Sequence, residues 1–212
     1  MRHFFQNMYQ KENFAKRLII VILAVITMGF ALSFLVLVNM GTDPCTSMNL
    51  AISAKIGWSL GNWQAFFNII LFLIVISLGC NNIGFGTIAN MFLVGYSLDF
   101  FSWIWSMILP SGLFSSMVVR VAVLIPALVI FIFAAAFYMS VDLGTAPYDA
   151  IAFVIHSKLK NRISFRFLRM GYDITVVIIG CCFGAKIGIV TILMAFLIGP
   201  TVTFVGNRLK LH

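Results

Sequence analysis

The sequence predicts an all-α polytopic membrane protein built from two internal repeats of four helical segments, the second segment of each repeat being short. Three observations predict it. The 212 residues are 62% hydrophobic and 9% charged, too little polar surface to cover a soluble domain, so the surrounding solvent must be lipid. Gly41-Thr42-Asp43-Pro44 follows one long apolar run and returns as Gly144-Thr145-Ala146-Pro147 after another, 144 − 41 = 103 positions later. The match then continues: Asn68 falls on Asp173 at an offset of 105, and Ile83-Gly84-x-x-Thr87 on Ile187-Gly188-x-x-Thr191 at 104. Many transporter folds are built on internal symmetry of this kind.

The first segment, Leu18–Met40, is free of charge and long enough to cross a hydrocarbon core of about 30 Å. It exceeds the roughly 7–15 apolar residues of a secretory signal and ends without a small-x-small site, so it is expected to be retained. Pro44–Ile56 is the short second segment. Pro44 suits the first helical position, where a missing N–H costs nothing, and Thr42 or Asp43 can cap it. Asn62–Gly79 and Thr87–Leu109 complete the first half. After a linker at 110–117, Val118–Val141, Pro147–Leu159, Phe167–Phe183 and Ile187–Val205 repeat the pattern, with Thr145 as the candidate cap. The expected organisation is a cytoplasmic segment 1–17, repeats at 18–109 and 118–206, and a cytoplasmic tail 207–212.

The short segments decide the topology. Thirteen residues reach only about 20 Å, but the next apolar run begins almost at once, at Asn62, leaving no chain for a return leg. That favours eight crossings with both termini cytoplasmic over six crossings in which the short helices re-enter and the repeats are inverted. Under eight crossings Lys55, Arg120 and the cluster Lys158, Lys160, Arg162, Arg166 and Arg169 are cytoplasmic, Lys186 alone is outside, and Asp43 and Asp142 lie outside too. Six crossings would move Lys55 and Arg120 outside.

The net charge of +8 gathers beside hydrophobic spans, which fits anchoring to an anionic leaflet and argues against nucleic acid as a partner. Cys45, Cys80, Cys181 and Cys182 lack metal-ligand spacing and read as buried thiols. No metal or cofactor is expected. The absence of H-E-x-x-H, G-x-S-x-G, phosphate-loop and dinucleotide motifs argues against an enzyme.

An ionisable group within a span costs at least about 2.5–3.5 kcal/mol and needs a partner or a wet cavity. Asp99, in LVGYSLDFFSWIW, is either a packing group or a proton or cation site. Asp173 follows Arg162, Arg166 and Arg169 at helical spacing, so Arg169 can neutralise it while the shared face either anchors the helix or borders a solute path. Asp149 sits in the first turn of the second short helix, where a carboxylate favours the dipole. Short helices at matching positions point to a solute site, their free N–H groups able to coordinate it. The candidate substrate-binding set is therefore Thr42, Pro44, Thr46, Ser47, Asn49, Asn68, Asp99, Thr145, Pro147, Asp149 and Asp173. Gly57-x-x-x-Gly61, Gly180-x-x-x-Gly184 and Gly184-x-x-x-Gly188 permit the close helix contacts of a homodimer.

At Gly41-Thr42-Asp43-Pro44, Ser59-Leu60-Gly61, Gly84-Phe85-Gly86-Thr87 and Gly95, followed by Asp99, the sequence resembles the bacterial YczE/YyaS/YitT-type membrane proteins. The resemblance covers nearly the whole chain and implies a multi-pass protein of the bacterial inner membrane. The second half departs from the pattern with Arg166 at the position of Gly61 and Val190 at that of Gly86. Together these readings predict a small-solute transporter or solute-binding membrane subunit, its cargo a small polar or charged molecule held between the repeats. The alternative is a non-transporting scaffold or accessory protein whose polar groups satisfy one another.

Overall fold

A computed structural model describes residues 13–78, 83–110, 112–159 and 165–196, with the side chains of 165 and 166 left aside. Residues 1–12 of the N-terminal segment, Cys80, Lys160, Arg162, residues 197–205 of the last segment and the tail 207–212 lie outside the described residues. The described chain is all helical: α1 (Phe14–Val38), α2 (Pro44–Ile56), α3 (Leu60–Ser77), α4 (Phe85–Ile108), α5 (Met117–Ser140), α6 (Pro147–Lys158), α7 (Phe165–Cys182) and a helix at 189–196, α8. Four of them, α1, α3, α4 and α5, are long and apolar enough to cross a membrane. The isoleucines, leucines and phenylalanines left exposed along them make an outward surface that suits acyl chains.

Local chemistry explains the breaks. Asn39 leaves α1 in the left-handed conformation at φ 56°, and Gly41 follows at φ 96°. Asp43 caps α2 by accepting the Thr46 N–H at 3.1 Å, with Pro44 next in line, and Gly57 ends the helix at φ 73°. Ser59 caps α3 through the Asn62 N–H. The second short helix differs from expectation, because its cap position is Ala146 and the Thr145 hydroxyl is buried without a partner.

Contacts between helices fix their directions. Phe14 packs on Phe85, Gly29 on Val94, Ser97 and Leu98, and Ser33 accepts from the Trp105 indole, so α1 and α4 run parallel. Asp99 meets Gly61 and the Asn68 amide meets the Met91 carbonyl, so α3 runs antiparallel to both. Arg17 donates to the Val141 carbonyl at one end, while Leu37 and Arg120 share a hollow at the other, so α1 and α5 are antiparallel. Successive long helices thus alternate in direction without α2, which leaves and rejoins the end where α1 finishes.

The eight-crossing expectation therefore fails. The missing return leg is supplied by the residues before Pro44, which fold back inward from the end of α1 so that α2 itself leads out again. In the second half, α5 ends beside Arg17, Val154 of α6 packs with Val75 and Ile83 near that same end, and α7 carries Phe183 to Lys55 at the opposite one. Lys55 and Arg120 accordingly sit at the end away from Arg17, and Asp43 is interior.

Two reciprocal contacts lock the loops. The Gly86 N–H donates to the Leu143 carbonyl at 2.8 Å, and the Val190 N–H to the Met40 carbonyl at 3.4 Å. Gly41 lies so close to α8 that a Cβ there would stand 2.8 Å from the Gly188 nitrogen, and one on Gly144 would stand 2.4 Å from the Gly84 nitrogen. Glycine is required at both for closeness as well as for positive φ. Of the glycines expected to serve a dimer, Gly61, Gly180 and Gly188 are used within the chain, against Tyr96, Met48 and Met40.

Candidate functional site

The inward-turned loops bring the starts of both short helices to one place. Asp43, Pro44, Cys45 and Thr46 from the first, and Ala146, Tyr148 and Asp149 from the second, line a cavity of about 560 Å³ between α1, α3, α4, α5, α7 and α8. That volume is within the range of small-molecule sites.

Its walls differ. On the α3 and α4 side stand three carboxamides, Gln64, Asn68 and Asn90, which are 7%, 4% and 6% exposed. Asn68 donates weakly to the Met91 carbonyl at 3.5 Å, and Gln64 Oε1 is buried with no hydrogen-bond partner. Facing them, Arg169 of α7 is ion-paired through Nη1 to Asp149 and through Nε to Asp173 at 3.2 Å. Its guanidinium lies over the Tyr148 ring at 4.9 Å, and the Tyr148 hydroxyl donates to Asp173 Oδ1 at 2.7 Å. Burial of this group is tolerable because each charge has a partner and further hydrogen bonds. Apolar side chains, Met28, Phe131, Met194 and Phe196 among them, complete the lining.

Of the candidate set, the cavity gathers Pro44, Thr46, Asn68, Asp149 and Asp173. The others are placed elsewhere. Thr42 and Ser47 bond to each other through their hydroxyls at 2.8 Å and stabilise the turn into α2. Asn49 accepts from the Trp63 indole at 3.0 Å and donates to Cys45 Sγ. Thr145 supplies its carbonyl to the Thr87 hydroxyl, and Pro147 is buried at the start of α6. Asp99 accepts the Gly61 N–H at 2.7 Å, satisfying a backbone donor in the first turn of α3, and does not reach the cavity lining.

Asp43, Gln64, Asn90, Tyr138 and Tyr148 line the cavity without having been singled out as binding residues. Gln64 was within reach of the sequence, since it falls on Arg169 at the same offset of 105 that joins Asn68 to Asp173. Cys45 lines the cavity, whereas Cys181 and Cys182 are exposed on α7 against the expectation of buried thiols. Among the described residues no three His, Cys, Asp or Glu side chains converge to hold a metal ion.

A model described as a family of unknown function, DUF6198, matches residues 15–207. The chain is 25% identical over 192 residues to an uncharacterized protein of Haemophilus influenzae, a match covering 91% of this chain and 84% of that one. It is also 25% identical over 176 residues to the uncharacterized membrane protein YczE of Bacillus subtilis, covering 78% and 73% respectively. No solved structure matches.

Proposed function

The chain belongs to DUF6198 and is similar to the membrane protein YczE, and from that premise we propose that it is a small-solute transporter of the bacterial cytoplasmic membrane, not an enzyme. One observation carries the reading: two short helices, each preceded by a loop folded in from an opposite end, direct their first turns into one largely apolar cavity that holds a few buried polar groups. Broken or short helices at corresponding positions of two halves are a recurrent construction for solute sites at mid-membrane.

Taking the offsets of 103 to 105 as a true internal repeat, the halves are inverted, and they face the cavity with equivalent positions: Thr46 opposite Asp149, Gln64 opposite Arg169, Asn68 opposite Asp173. The reciprocal loop contacts support this, since Gly86 to Leu143 and Val190 to Met40 are the same bond made twice. Alternating access in such folds comes from rocking one half against the other around a fixed site. The basic residues near the Arg17 end support a cytoplasmic position for both termini by the positive-inside rule.

A scaffold or accessory role is the second reading, favoured by one observation: Arg169, Asp149, Asp173 and Tyr148 already satisfy one another. Proteoliposomes separate the two. A transporter gives saturable flux of amines, amino acids, organic acids or inorganic ions above that of empty vesicles, and the flux falls in Arg169→Gln. No flux across that panel, with folded protein confirmed in the vesicles, refutes transport.

A further inference from the structure

We infer that the cavity recognises its solute through a protonated amine or guanidinium, held by the free oxygens of Asp43 and Gln64. The inference rests on reading the cavity as a solute site and adds the chemistry of the cargo. Two acceptors on cavity-lining side chains are buried without a donor: Asp43 Oδ2, whose sister oxygen caps α2, and Gln64 Oε1 on a side chain only 7% exposed. A buried acceptor left without a donor costs about 1–3 kcal/mol, and an ionised one more, so a ligand bringing N–H groups recovers what the empty cavity forgoes. Each side chain lines the cavity while its free oxygen is enclosed, so the inference requires both to turn toward the bound ligand.

The charge balance gives the sign. When all are ionised, Asp43, Asp149 and Asp173 contribute three negative charges and Arg169 one positive. The two helix starts oppose the carboxylates, but each is equivalent to only about half a positive charge. The described lining therefore keeps about one net negative charge, which a monovalent cation neutralises and an anion worsens. By this count the Arg169 group with the α6 start and Asp43 with the α2 start each keep about half of it, and Asp43 is the carboxylate with no ion pair to Arg169. A bare metal ion fits poorly, since no three metal-ligating side chains converge among the described residues. Methionine and aromatic side chains across the cavity suit the carbon portion of an organic cation.

The test uses the purified full-length protein in detergent at fixed ionic strength. It is titrated with ethylammonium and guanidinium, with acetate and acetamide as charge-reversed and neutral probes, and the unfolding midpoint is followed. The expected result is saturable stabilisation by at least one cation and by neither control. Asp43→Asn, which keeps an acceptor for the Thr46 N–H, is expected to weaken that cation about tenfold or more, as loss of a charge-assisted hydrogen bond does. Gln64→Leu weakens it less and serves alone if the Asp43 variant does not fold. Stronger stabilisation by acetate, cation binding undiminished in both variants, or no shift with any probe overturns the inference. Failure of transport is distinguishable: cation binding without vesicle flux removes transport and leaves the inference, whereas flux of an anion alone does the reverse.

Discussion

Replacing Arg169 by glutamine, the residue at the matching position of the first half, removes the only positive side chain among the described cavity-lining residues. Asp149 and Asp173 are then left facing each other with side chains 16% and 7% exposed. Breaking a buried pair by deleting one partner costs about 3–5 kcal/mol, and the 24% exposure of the Arg169 side chain argues for the lower part of that range. The informative comparison is the triple variant Arg169→Gln, Asp149→Thr, Asp173→Asn, which gives the second half the neutral set of the first. It removes all three charges together, so its stability is expected within about 1–2 kcal/mol of the unsubstituted protein, because replacing a buried ion pair whole is often neutral. Denaturation of the purified protein in mixed micelles, followed by tryptophan fluorescence, reads both. If Arg169→Gln is as stable as the unsubstituted protein, or the triple variant is less stable than the single one, the network does not hold these helices as described.

Gly144→Ala combines positive φ with a Cβ 2.4 Å from the Gly84 nitrogen, whereas Gly57→Ala has positive φ and open space around it. Thermal unfolding should show Gly144→Ala as the more damaging by about 1–3 kcal/mol, the cost of overpacking; equal losses would contradict the loop contact. Asp99→Ala should cost about 0.5–2 kcal/mol, typical of a lost helix cap, without altering any solute-induced stabilisation; a lost ligand response would return Asp99 to the site. Lys55→Cys and Lys158→Cys should react with a membrane-impermeant maleimide from opposite sides of sealed vesicles, and labelling of both from one side would restore the crossing short helix.

Much of the architecture was legible in the sequence because its causes are local. A charge-free run names a spanning helix, a proline after a polar cap names a helix start, and seven segments emerge at nearly the expected bounds, with an eighth helix beginning close to its expected start. The chemistry was half legible for the same reason: the spacing of Arg169 and Asp173 announces their pair, but nothing local says that Asp149, twenty positions earlier, closes on the same guanidinium. Asp99 drew attention as the carboxylate in the most apolar surroundings, and only the approach of α3 reveals that a backbone N–H satisfies it.

Apolar periodicity and turn residues act over a few positions, so sequence alone determined the membrane character of the chain, its helices and the turns that start the two short ones. Whether a short helix crosses or turns back depends on the direction of helices tens of residues away, and which polar groups share a cavity depends on loops docking across the molecule. Those contacts are set by packing between distant segments, which is why tertiary structure alone decided the path of the short helices and the lining of the cavity.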